Sequence, residues 1–178
     1  MRRVRYNCAM SIDGYIADPY DGFDWIDIDP DIDFEELSSQ FDTYLMGRRT
    51  FEVVGGQGPP SSEIRNYVFS NTLKQSDHGN LRIISEDWAQ AVRTLRAEPG
   101  KDIWLFGGGV LFGTLCNEGL VDTLEVSVLP VLLGGGVPLV AGLSRQVNLI
   151  LKEHRVYEKT GTALLVYDID KAHSTGKC

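Results

Sequence analysis

Cysteine, long apolar runs and positive charge are all scarce in this chain, and each scarcity removes a class of function. The three cysteines, Cys8, Cys116 and Cys178, are odd in number and far apart. Neither a disulfide framework nor a zinc site is suggested, and no metal is expected. Cys8 and Cys116 fall in apolar segments and read as small core residues. No apolar stretch approaches the ~20 residues that cross a bilayer, and the opening Met1-Arg2-Arg3-Val4-Arg5-Tyr6 lacks the apolar centre of a signal peptide. A cytoplasmic protein without a membrane partner is expected. Lysine and arginine number 17 against 25 acidic residues, a net charge of −8, and there is no basic stripe interleaved with aromatics. Nucleic acid is therefore disfavoured as a partner, and any phosphate bound here needs a local site. Repeats and low-complexity tracts are absent too. A single domain over residues 1–170 is expected, followed by a polar, disordered tail at 171–178.

What the chain does have is glycine at two abrupt changes of pattern. Residues 103–113, IWLFGGGVLFG, read as a buried strand turning into a helix that runs to about Glu118. The triplet Gly107-Gly108-Gly109 at the turn has two readings. A ligand, an anion for preference, comes closer to the main chain than a Cβ would allow; or strand and helix simply pack tightly. It is no Rossmann fingerprint, because counting on from Gly107 lands on Phe112 where the last glycine should be. The second junction follows a short strand at 43–46: Gly47-Arg48-Arg49-Thr50-Phe51-Glu52 places two guanidiniums at a helix start. Cations there oppose the helix dipole unless an anion sits between them, so the pair marks either a phosphate site or a solvated helix start.

The remaining elements alternate. A strand at 4–9 leads through an Asp13-Gly14 turn to a short apolar return at 15–17. Residues 18–33 form an acidic loop with seven aspartates. An EF-hand starting at Asp27 fails, since Ile32 and Ser38 stand where glycine and glutamate are needed. The loop reads instead as a mobile flap whose Phe23 and Trp25 fold onto a ligand or onto the core. Asp33 and Glu36 have capping-box spacing before a helix to about Phe41; they are also two carboxylates on one helix face, able to supply a proton. A loop at 55–62, a strand at 67–69 ending in Ser70-Asn71, a strand at 81–85 and a helix at 86–97 come next. A strand at 123–128, an apolar loop carrying a second triplet, Gly134-Gly135-Gly136, and a hairpin of strands 149–157 and 163–169 close the chain. The pattern predicts an α/β fold: a mixed, mostly parallel central sheet, an antiparallel C-terminal hairpin, and helices on both faces.

Taken in order, MSIDGYIA, MGRRTFE, FSN, WLFGGGVLFGTL and VLPVLLGGGVPLV make the chain resemble dihydrofolate reductase and the reductase domain of the bifunctional riboflavin-biosynthesis deaminase/reductase. The loop at 130–139 is similar to the riboflavin-pathway reductase, and the deaminase zinc signature is absent. The closest likeness is thus to stand-alone homologues of that reductase domain. The resemblance implies a dihydrofolate reductase-like three-layer sandwich and NADPH as cofactor. Val110 stands where dihydrofolate reductase often has arginine, so NADH stays open. It also implies site residues: Gly47, Arg48, Arg49 and Thr50 at the pyrophosphate and 2′-phosphate, Ser70 and Asn71 at the adenosine, and Gly107, Gly108, Gly109, Val110 and Leu111 under the pyrophosphate and nicotinamide. Ala9 and Met10 fall on the nicotinamide side. Trp25, Phe112 and Ser127 are expected at the substrate, and Asp33 or Glu36, with Asp31 one register away, as proton donor. The activity implied is hydride transfer to a riboflavin precursor such as 5-amino-6-(5-phosphoribosylamino)uracil, or to a pterin. The alternative is a nicotinamide-binding module without turnover. A homodimer is expected from the resemblance and the apolar C-terminal strands.

Overall fold

The computed structural model describes residues 1–55, 64–75 and 81–172. The predicted loop at 55–62, beyond Gly55, and the predicted tail beyond residue 172 lie outside the described residues. Ten strands and four helices follow in the order β1 (Val4–Ser11), β2 (Tyr15–Ala17), α1 (Phe34–Ser39), β3 (Phe41–Gly47), α2 (Arg48–Val53), β4 (Arg65–Phe69), β5 (Arg82–Ile84), α3 (Trp88–Ala97), β6 (Asp102–Gly107), α4 (Gly109–Asn117), β7 (Thr123–Leu129), β8 (Val137–Pro138), β9 (Leu149–Tyr157) and β10 (Thr162–Ile169) among the described residues. Eight strands form one sheet in the order β5-β4-β3-β6-β1-β7-β10-β9. Pairing is parallel from β5 across to β7 and antiparallel for β10 and β9, as the alternating and then hairpin-like sequence predicts.

Side-chain alternation sorts the core into two layers. On one face Val4 and Tyr6 of β1, Leu45 of β3 and Ile103 and Leu105 of β6 meet Val92 and Leu95 of α3 and Leu111, Phe112 and Leu115 of α4. On the other, Tyr44, Met46, Val68 and Trp104 meet Phe51 of α2 and Leu37 of α1. β6 is apolar at successive positions because, as an interior parallel strand, it feeds both layers. Truncating a fully buried member such as Leu115 to alanine removes packing worth about 2–5 kcal/mol.

Two details differ from expectation. The helix starting after Asp33 stops at Ser39 rather than running to Phe41, because Phe41 is buried as the first residue of β3. The short return β2 does not join the main sheet. It pairs with β8, two residues of the second glycine loop, in a separate antiparallel ribbon. Among the described residues no helix is long and apolar enough to cross a membrane.

Candidate functional site

β3 and β6 are parallel neighbours whose last residues stand side by side, with Met46 opposite Gly107. Both glycine junctions therefore emerge at the same carboxyl end of the sheet, where ligands of open α/β sheets bind. They share the wall of one cavity of about 1300 Å³. Gly47, Arg48, Arg49 and Thr50 line it from β3 and α2, and Gly107, Gly108, Gly109, Val110 and Leu111 line it from β6 and α4. Neither helix has a side-chain N-cap, so the first-turn amides of the nine-residue α4 are left for another acceptor.

The two readings of the triplet divide between its members. A Cβ at Gly109 would collide with the Pro138 carbonyl, and one at Gly113 with the Ala141 carbonyl; these two glycines exist for packing of the 138–142 loop. Gly107 has φ +157° and a cis peptide bond to Gly108. A Cβ on Gly108 would meet only the Thr50 hydroxyl, at 3.3 Å. Bare main chain at Gly107 and Gly108 thus faces the cavity, with Thr50 beside it.

The arginines do not wait unpartnered. Arg48 Nη1 donates to Glu52 at 2.9 Å, an exposed i,i+4 pair. Arg49 Nη2 lies 2.6 Å from Asp21 Oδ1, on the acidic loop.

The floor of the cavity was not read from the sequence. Arg5 and Asn7 of β1 and Glu125 of β7 project from the sheet into it. Arg5 Nη2 donates to Glu125 Oε2 at 2.8 Å and Asn7 Nδ2 to the same oxygen at 3.0 Å. Burial alone would lower the Arg5 pKa, but its hydrogen bonds and charge contact with Glu125, helped by Asp102, raise it. The signal was available: polar Arg5 and Asn7 alternate with Val4, Tyr6 and Cys8, and Glu125 with Leu124 and Val126, so each belongs to the face opposite the aliphatic core. Trp104 Nε1 donates to the Asn7 carbonyl at 3.1 Å and fixes the neighbouring wall. Cys8 also borders the cavity. Burial pushes its thiol up to about 12, so it is no nucleophile near neutral pH.

Other expected site residues divide. Ala9 and Ser127 line the cavity, as do Asp31, Asp33 and Glu36. The two helix carboxylates are exposed, however, and Asp33 Oδ1 is occupied as the N-cap, accepting from Glu36 N–H at 2.8 Å. Phe112, expected at the substrate, has its ring centroid 4.3 Å from that of Tyr6 in the core and does not line the cavity. Trp25 lies in a separate small cleft with Leu129, Pro130 and Thr160. Ser70 and Asn71 stop short of the wall, which Phe69 reaches; the buried Ser70 hydroxyl instead accepts from Thr72 and Leu73 N–H.

The acidic loop is anchored rather than loose. Asp29 is fully buried and accepts from Asp31 N–H at 2.9 Å, Thr160 N–H at 3.1 Å and the Thr160 hydroxyl at 3.0 Å. Lys159 holds Asp31 at 2.6 Å. Burial opposes the Asp29 charge, yet these donors and Lys159 outweigh it and hold its pKa below the usual carboxylate value.

With this geometry in view, a family model described as the RibD C-terminal domain matches residues 2–162. The chain belongs to that family. Among relatives of this RibD C-terminal domain, the uncharacterized protein YyaP of Bacillus subtilis (strain 168) is 35% identical over 179 residues, covering 93% of this chain and 94% of YyaP. A crystal structure from Shewanella sp. PV-4, of a protein named for riboflavin biosynthesis, superposes with a TM-score of 0.79 at 26% identity, covering 96% of this chain and all (100%) of that one. Dihydrofolate reductase from Enterococcus faecalis, solved with NADP(H), matches at TM-score 0.67 over 95% of this chain and 97% of its own; at 14% identity it speaks for the fold alone. The RibD C-terminal domain here therefore has a dihydrofolate reductase-like fold.

Proposed function

We propose that the chain is an NADPH-dependent reductase that delivers hydride to a small heterocyclic or sugar-phosphate substrate, of the 5-amino-6-(5-phosphoribosylamino)uracil or pterin kind. The observation that carries this reading is the single cavity shared by the two glycine junctions. The donor set suits a dinucleotide: side-chain-free Gly47, Gly107 and Gly108, the uncapped first turn of α4, and two guanidiniums for a 2′-phosphate. NADPH, when bound, supplies the hydride. Gly107 to Leu111 would hold its pyrophosphate and nicotinamide, and Arg48 and Arg49 its adenosine 2′-phosphate; NADH would use the same main chain without the arginines. Arg5, Asn7, Glu125 and Ser127 would orient the substrate from the floor. Apolar walls such as Ile16, Phe23 and Trp104 would exclude water while the reacting carbons sit about 3–3.5 Å apart.

A second reading is a nicotinamide-binding module without turnover. It is favoured by one observation: Asp33 and Glu36, the carboxylates expected to give a proton, are exposed rather than sheltered. One experiment separates the two. NADPH should quench tryptophan fluorescence with micromolar affinity, and its absorbance should fall when a diaminopyrimidine ribosylamine, a pterin or a simple carbonyl is supplied. Binding without oxidation selects the module; no nicotinamide binding at low salt discards both.

We infer as well that two copies pair along β9. It is the last strand of the sheet, eight of its nine residues are exposed, and Leu149, Ile150, Leu151 and Val156 are among them. An open edge of this length and apolarity invites a second strand. Sedimentation should give twice the monomer mass, and a Leu151→Lys, Val156→Lys variant should give the monomer.

A further inference from the structure

The Asp21–Arg49 ion pair joins two walls of the cavity. Arg49 belongs to α2 and Asp21 to the acidic loop, and both side chains line the same space. Glu52, the partner of Arg48, does not line it. A carboxylate therefore already occupies the guanidinium that a 2′-phosphate would use.

Asp21 is presented by a closed turn. Asp18 Oδ1 accepts from Tyr20 N–H and from Gly22 N–H, each at 2.7 Å, and Asp18 N–H donates to the Gly22 carbonyl at 3.0 Å. A Cβ on Gly22 would press on the Asp18 carboxylate at 2.6 Å. Asp21 itself has φ +66°, a left-handed conformation that aspartate and asparagine tolerate better than most residues. The charge is thus delivered to Arg49 on a short, internally bonded loop.

We propose that Asp21 is a specificity-determining residue that tempers the preference for NADPH over NADH by competing, as an anion, for Arg49. The inference rests on the nicotinamide reading above. A dianionic 2′-phosphate reaching Arg49 must displace this carboxylate or bind beside it, and either costs affinity through lost pairing or like-charge repulsion. NADH has a hydroxyl at that position and leaves the pair intact. Discrimination between the two cofactors is therefore smaller than two adjacent arginines would otherwise confer.

The test measures dissociation constants of NADPH and NADH by fluorescence quenching and calorimetry, on wild type, Asp21→Asn, Arg49→Ala and the double variant, at low and moderate salt. Asparagine keeps the size and suits the left-handed backbone, so the loop is retained; Asp21→Gly serves as a second variant, and circular dichroism checks folding. Asp21→Asn should tighten NADPH about three- to tenfold and move NADH less than twofold. The gain should shrink with salt and vanish when Arg49 is already alanine. Equal changes for both nucleotides, no change for NADPH, or a gain that persists in Arg49→Ala overturns the assignment of Asp21 while leaving the reductase reading standing. Wild type that binds neither nucleotide removes both.

Discussion

Two ion pairs border the same cavity under opposite conditions. At the rim, Arg49 and Asp21 have side chains 60% and 32% exposed; on the floor, those of Arg5 and Glu125 are 16% and 6% exposed. Water and salt screen the first pair, so its partners can be exchanged for a ligand at a cost of about three- to tenfold in affinity. The second pair has given up its hydration, and its members depend on each other. The cavity thus combines a rim whose charges can be traded with a floor whose charges cannot.

The largest effect should come from separating the floor pair. Glu125→Ala, which leaves Arg5 only the more distant Asp102 carboxylate at 3.5 Å and Gln40, should cost about 3 kcal/mol in urea unfolding. Replacing both residues together, as Arg5→Met with Glu125→Leu, should recover more than half of that loss. Equal losses in single and double variants would mean that the pair is not coupled. At the rim the readout reverses. Arg49→Ala should change stability by less than about 1 kcal/mol, yet weaken NADPH binding by about tenfold or more, the worth of a charge-assisted hydrogen bond.

Asp29 is an intermediate case, a buried carboxylate held mainly by N–H and hydroxyl donors. Its folded pKa is depressed, so its contribution is complete above the unfolded value of about 3.9 and is lost as pH falls through the lower folded value. Asp29→Asn should melt at a lower temperature than wild type at pH 7, and the two curves should converge toward pH 3. Parallel curves from pH 7 to 3 would refute this. The smallest change should follow Trp25→Phe. Trp88 and Trp104 border the cavity and Trp25 does not, so cofactor quenching should survive in that variant and drop in Trp104→Phe.

The parts of this site legible in the sequence are those where a strand ends and a helix begins within a few residues. Residues 103–113 and 43–52 announced their turns through apolar runs cut by glycine, and parallel pairing of β3 with β6 brought both to one wall. What escaped notice depends on distant partners. Arg5 and Glu125 are isolated polar residues 120 positions apart, and only the pairing of β1 with β7 makes them neighbours. Phe112 lies in the core, and α4 carries apolar residues on its exposed as well as its buried side, Val110 among them, so periodicity could not say which residues face the cavity. The acidic loop read as mobile because its anchors, Thr160 and Lys159, belong to the C-terminal hairpin. The second triplet imitates the first without sharing its role: no member of Gly134 to Gly136 lines the cavity, and the Leu133 and Gly134 amides are held by Asp13.

The fit of the 138–142 loop against α4 bears on how the protein is made. Gly109 and Gly113 accept that loop at carbonyl contact, and Ala141 N–H donates to the Gly109 carbonyl at 3.1 Å. During translation, a nascent chain that has left the ribosome only as far as Asn117 possesses every arginine and glycine assigned to the cofactor but lacks the segment that seats the start of α4. Competence to hold a dinucleotide should therefore arrive late in synthesis, once the last third of the polypeptide has emerged and closed against that helix.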